Sequence, residues 1–184
     1  MDVTPDRWQS LLDRQAIWDA LMRYTRGVDR LDAELIRSAF WPDAHDSHGQ
    51  MDGDVEQFIE TWMPTQARRE ACQHAVHNHH VELDGTGEHR GAHAETYFQV
   101  AIRNAGSDTL ELVGGRYLDH WTHRAGEWRI QTRLVVLDWQ CVTDASRMDR
   151  RLSMSHRGSR DAQDPSYERP VRPRRPPRAS GPKD

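Results

Sequence analysis

The second half of this chain alternates apolar and polar residues with period two through four long stretches, 74–83, 89–103, 109–123 and 127–143. That period belongs to half-buried strands. Asp84-Gly85-Thr86-Gly87, Asn104-Ala105-Gly106-Ser107-Asp108 and Arg124-Ala125-Gly126 separate the stretches, and each is rich in the residues that chain reversals favour. Strands joined this tightly form an antiparallel meander, and the first half of the chain supplies helices to cover it. Thr4-Pro5-Asp6 provides a cap and a proline at the first helical position, after which Trp8, Leu11, Leu12, Ile17, Leu21, Tyr24 and Val28 recur near helical spacing. A second short helix is expected over residues 32–40, capped by Asp32 and broken by Trp41-Pro42-Asp43. Residues 45–51 read as a short strand, and Asp54 caps a third helix carrying Val55, Phe58, Ile59 and Trp62 that continues past Pro64 with a kink. The fold class is therefore α+β, with three N-terminal helices packed in one curved, mostly antiparallel sheet.

With 184 residues, 36% of them hydrophobic, the chain suits one domain with one core. The formal net charge of −4 conceals a division: residues 169–184 carry +5, so residues 1–168 carry −9. An acidic body argues against nucleic-acid binding. The Arg- and Pro-rich end has little to bury, and apolar periodicity fades after residue 143, so the expected organisation is a domain over 1–143 and a disordered tail over 144–184. The first residues lack a basic stretch followed by an apolar run, and no segment is apolar for long enough to span a bilayer. The expectation is a cytoplasmic protein without membrane partners. Cys72 and Cys141 are too few for a disulfide framework and read as reduced thiols.

Chemistry concentrates in the histidines. Of eleven, the informative ones lie in His45-Asp46-Ser47-His48 and His74-Ala75-Val76-His77-Asn78-His79-His80, both downstream of a helix ending in Tyr24-Thr25-Arg26-Gly27-Val28-Asp29. Imidazole titrates near neutrality and a carboxylate fixes its tautomer, so an Asp and a His meeting in one cavity can move protons without a cofactor. Gly27 suggests that Asp29 sits in or just past the last helical turn. On the first strand Asp46 and His48 share a face; a slip of one residue would present His45 and Ser47 instead. In the second cluster strict alternation puts His74, Asn78 and His80 on one face and His77 and His79 on the other, so three histidines converge only if the strand bulges. His48 with His74 or His80 and Asp46 would make a 2-His-1-carboxylate set, but the proton-transfer reading, with no metal and no cofactor, is preferred.

Several motifs then add up to a resemblance. Gly27-Val28-Asp29, Phe40-Trp41-Pro42-Asp43-Ala44, His74 with Asn78, Glu95-Thr96-Tyr97, and Gly115-Arg116-Tyr117 followed by Gly126-Glu127-Trp128-Arg129-Ile130 occur in an order that resembles the SnoaL-like group of the nuclear transport factor 2-like superfamily. The resemblance covers about residues 8–143 and implies the curved-sheet cone of that superfamily. By pattern it points to cofactor-free lyases such as scytalone dehydratase, bile acid 7α-dehydratase and hexachlorocyclohexane dehydrochlorinase. It implies a dyad of His74 as general base and Asp29 as its partner, with Tyr24 and His48 donating hydrogen bonds to an oxygen that gains charge. His48 stands where the two dehydratases carry a tyrosine. Asp46, Asn78, Tyr97, Tyr117 and Arg133 would face an aromatic, polyketide or steroid-like substrate, although an ion pair is an equal role for Arg133. The expected function is elimination of water or a similar leaving group. Loss of formaldehyde from a diarylpropane-type compound, ketosteroid-type isomerisation and a non-catalytic binding module are the alternatives. Family habit implies a homotrimer or dimer.

Overall fold

The computed structural model describes residues 4–85, 90–147 and 157–172. The expected turn residues Thr86 and Gly87, His89, His156 and the end of the chain beyond Arg172 lie outside them. Helix α1 spans Pro5–Arg30, with Thr4 as N-cap, and ends where Leu31 adopts a left-handed conformation (φ 53°) and its N–H reaches the carbonyls of Gly27 and Val28. Ile17, Ala20, Leu21, Tyr24 and Val28 form its buried stripe, each at most 1% exposed. Trp8, Leu11 and Leu12, counted with that stripe by spacing, are instead 57%, 55% and 61% exposed. Burial along α1 starts at Asp13, whose carboxylate accepts from Arg90 and from the Trp128 indole at 2.6 and 2.8 Å.

Gly27 is required by packing. A Cβ there would stand 2.8 Å from Ile36 Cγ1 and 2.9 Å from the Ile36 backbone nitrogen, so its absence lets α2, Ala33–Arg37, lie directly against α1. Asp32 caps α2 by accepting from the Leu35 N–H at 3.1 Å. Helix α3 spans Val55–Gln66 behind a reciprocal capping box of Asp54 and Gln57, with Pro64 inside its last turn.

Six strands, β1 Phe40–Ser47, β2 Asp52–Gly53, β3 Arg69–Asp84, β4 Gly91–Asn104, β5 Thr109–Arg124 and β6 Glu127–Asp144, form one sheet in the order β2-β1-β6-β5-β4-β3. The β3 to β6 meander is antiparallel, as its period requires, and β1 runs parallel to β6. β1 begins earlier than expected, because Pro42 falls in the irregular stretch between the Phe40–Ile130 and His45–Thr132 pairings, where the ladder needs no N–H from it. The sheet curves around the helices without closing, and bulges mark the curvature. One lies between Val76 and His79 on β3; two more interrupt the β5–β6 pairing at Gly114/Gly115 and His120/Trp121. The core sits between the concave face and the helices, where Phe98, Tyr117, Trp121 and Ile130 meet Tyr24, Phe40 and Phe58.

Residues 157–172, expected to belong to a disordered tail, pack against the C-terminal end of α1. Arg160 donates to the carbonyls of Val28 and Asp29 at 3.1 Å each and to the Gln66 carbonyl at the end of α3. Buried Asp164 accepts from Ser159 and Ser166 backbone N–H groups at 2.8 and 2.9 Å, and Tyr167 donates to Asp32 at 2.8 Å. Helix ends leave carbonyls without partners, and a guanidinium from far along the chain satisfies them here; composition alone does not register that demand. No helix of the described residues is long and apolar enough to cross a membrane.

Candidate active site

Asp29 occupies the last turn of α1, and its carboxylate turns onto β3. One oxygen accepts from His74 Nδ1 at 2.7 Å while the other accepts from the His74 backbone N–H at 3.0 Å. This double grip fixes the ring and its tautomer: Nδ1 carries the proton and Nε2 makes no hydrogen bond among the described residues. Burial of the imidazole lowers its pKa, but the hydrogen bond to Asp29, the Cys72 thiol 3.9 Å away and the Asp29 charge outweigh it and hold His74 at about 9. Beside the pair lies a cleft of 460 Å³ lined by Asp29, Cys72, Gln73 and residues 157–160.

Ligand atoms of Asp29, Cys72 and His74 fall within 4.8 Å of one another, the kind of mixed set a metal ion can use. The arrangement nevertheless fits a hydrogen-bonded pair better. Asp29 already occupies Nδ1, and the charge of Arg160 acts on both Cys72 and Asp29, which opposes a second cation there.

The second group lies deeper on the concave face. Tyr24 from α1 and His48 just past β1 meet with the phenol oxygen 3.3 Å from Nε2. His48 packs over the Phe58 ring at 5.0 Å. Asp46, fully buried, places an oxygen 3.1 Å from His48 Nδ1, although the angle between them falls outside hydrogen-bond geometry and neither carboxylate oxygen has a protein partner. Arg133 is fully buried, pairs in fork geometry with Asp119 at 2.7 Å twice, and sits between the Tyr24 and Tyr117 rings at 4.3 and 4.1 Å. Its Nη1 remains without a partner. Burial raises the Tyr24 pKa and Arg133 only partly offsets it, so the phenol keeps its proton at neutral pH. Tyr117 links the two groups: its ring stands 5.8 Å from that of Tyr24, and the Asp29 charge reaches its hydroxyl.

Two expected members, Asn78 and Tyr97, lie outside the site. The β3 bulge inserts one residue between the Val76–Phe98 and His79–Thr96 pairs, so beyond it the inward parity passes to His79 and Val81. Asn78 and His80 face out. His79 instead turns in, bonds Thr96 at 2.8 Å and packs edge-on to Trp18 at 5.3 Å. Tyr97 is 41% exposed, because its neighbours Thr96 and Phe98 hold the concave positions of β4. A 2-His-1-carboxylate set from His48, His80 and Asp46 is excluded by the same parity, since His80 lies on the opposite side of the sheet from the other two. A bulge also brings Arg133 inward: Ile130 and Arg133 both pair with inward residues of β5, Trp121 and Asp119, and Gln131 is the extra residue. Asp119 escaped the sequence reading although it stands two residues from Tyr117 and so shares its face; Cys72 stands in the same relation to His74. Arg160 left no local signal.

Comparison with known proteins agrees with this architecture. The model of the SnoaL-like domain matches residues 9–134. A scytalone dehydratase-like protein of Novosphingobium aromaticivorans superposes with a TM-score of 0.63 at 17% identity, covering 77% of this chain and 96% of its own. The type 3 LinA hexachlorocyclohexane dehydrochlorinase of Novosphingobium barchaimii gives 0.61 at 16% identity, covering 73% and 92%. A Kribbella flavida protein gives 0.64 at 17%, covering 72% and 95%. At these identities the structures establish the fold alone, and the search of curated proteins finds no match. The family model spans well over half of the sequence: the chain belongs to the SnoaL-like domain family.

Proposed function

We propose that this protein is a cofactor-independent lyase in which His74, held by Asp29, removes a proton from an aromatic, polyketide or steroid-like substrate as water or a similar group departs. The observation that carries the reading is the two-point grip of one carboxylate on the His74 ring and its backbone N–H, at 2.7 and 3.0 Å. A carboxylate used only to end a helix has no need to set an imidazole tautomer. In the reaction Nε2 takes the proton, the electrons of the broken C–H bond form the new double bond, and the leaving group departs with its pair. Asp29 stabilises the imidazolium that results. Tyr24 and His48, 3.3 Å apart, are placed to donate hydrogen bonds to a departing hydroxide or an enolate oxygen, and donors fixed in a dry site are worth most where charge develops. The names of the dehydratase-like and dehydrochlorinase neighbours support elimination as the reaction class.

A base with a pKa of about 9 is strong but mostly protonated at neutrality, with roughly 1% in the active form at pH 7. The test is turnover of a panel of hydroxylated aromatic, polyketide and steroid-like compounds across pH. The expected result is kcat/KM rising with pH to about 9, with His74→Ala and Asp29→Asn each removing turnover and His48→Ala lowering kcat. Turnover of every active substrate unchanged by both dyad substitutions would refute the proposal. Formaldehyde among the products would assign the diarylpropane-type alternative, and tight binding without turnover a binding module.

A further inference from the structure

We infer that the outer face of the sheet carries a divalent transition-metal site, built by Glu82, His93 and His120 and unconnected with the proton-transfer pair. Strand register places these three side by side: Glu82 pairs with His93 across β3–β4, and His93 with His120 across β4–β5. Directly opposed residues in antiparallel strands have Cβ atoms about 5 Å apart on the same face, so three ligating side chains project in one row. The His93 and His120 rings stack, with centroids 4.9 Å apart and planes inclined by 15°, so the exposed His93 ring must turn for the two in-plane nitrogen lone pairs to meet at one ion.

The surroundings suit a cation. Asp84 Oδ2 is 3.8 Å from His93 Nε2, and His80 Nε2 is 3.7 Å from Glu82 Oε1. Glu95 lines the same 380 Å³ cleft as His80, Glu82, His93 and His120. Two imidazoles and a carboxylate form a ligand set that zinc, nickel and copper accept, water completing the shell. His93 and Glu82 are exposed along most of their side chains, so they can rotate onto a shared ion while the strands stay fixed. None of these residues faces the concave side.

The decisive experiment is titration of the untagged full-length protein with Zn2+ by equilibrium dialysis and calorimetry, with Co2+ as a spectroscopic stand-in. One ion per chain is expected, with Kd raised at least about tenfold by His93→Gln or by His120→Gln and binding abolished by the double substitution. Cys72→Ser should leave Kd unchanged, and the Co2+ spectrum should lack a thiolate charge-transfer band. Circular dichroism of the double variant should match the parent, since His93 is a surface side chain. Binding that survives the double substitution, disappears with Cys72→Ser or is absent from the parent protein overturns the assignment. Because the readout is metal binding and not turnover, failure here leaves the lyase proposal standing, and loss of the lyase proposal leaves this site standing.

Discussion

Replacing Asp29 with Asn keeps the size of the side chain and removes the charge that holds His74 in its protonated form. The wild-type imidazole, 7% exposed, has its pKa raised from 6.5 to about 9, which corresponds to about 3 kcal/mol of extra stability for the protonated ring in the folded state. Because the folded value exceeds the unfolded one, this contribution is fully present below pH 6.5 and is lost as pH rises through about 9. Between pH 7 and 9 the loss amounts to about 2 kcal/mol. In Asp29→Asn the burial that lowers the pKa remains and only Cys72 is left to oppose it, so His74 should titrate well below its wild-type value and this part of the slope should shrink. Urea denaturation at pH 7, 8 and 9, combined with NMR titration of the His74 ring proton, measures both quantities. Parallel stability curves for the two proteins over that window, or an unmoved His74 titration, would refute the argument that Asp29 governs His74.

Other consequences follow from the packing. Asp119→Ala leaves Arg133 buried without its partner and should cost about 3–5 kcal/mol in chemical denaturation, whereas Asp119→Leu combined with Arg133→Met should recover most of it; equal losses in both would show that the pair is not the cause. Gly27→Ala pushes a methyl group to 2.8 Å from Ile36 and should destabilise by about 1–3 kcal/mol, with amide exchange rising first in α2. Arg160→Ala removes the donor to the Val28 and Asp29 carbonyls and should speed amide exchange in the last turn of α1 while leaving β5 protected. Uniform exchange along α1 would contradict that role.

Periodicity carries most of the fold. Strands β3 to β6 could be read from alternation and glycine-bearing turns because a half-buried sheet forces side chains in and out with period two, and the caps Asp32 and Asp54 could be read because helix N-termini demand acceptors. Asp29 and His74 could be named because the SnoaL-like pattern implies an Asp at the end of the first helix and a His four residues before Asn78; the structure places them 2.7 Å apart, with His74 inside β3 and not at its start as expected. Alternation fails at bulges, where one extra residue exchanges the faces beyond it. Asn78 lost its inward place to such an insertion on its own strand, whereas Tyr97 faces outward for a simpler reason, the outer parity of an uninterrupted strand.

The amino-acid sequence by itself determined the helical cover, the meander, the residues available for proton transfer and the inward sharing of Asp46 with His48, since each depends on local spacing that strands and helices translate directly into faces. Only the tertiary structure decided which of those residues meet. The carboxylate on the His74 ring, Arg133 over the Tyr24 ring, and Arg160 on the last turn of α1 all join residues from distant parts of the chain. Such pairings are set by sheet register, by bulges and by the demand of buried polar groups for partners, and no window of sequence contains both sides of any of them.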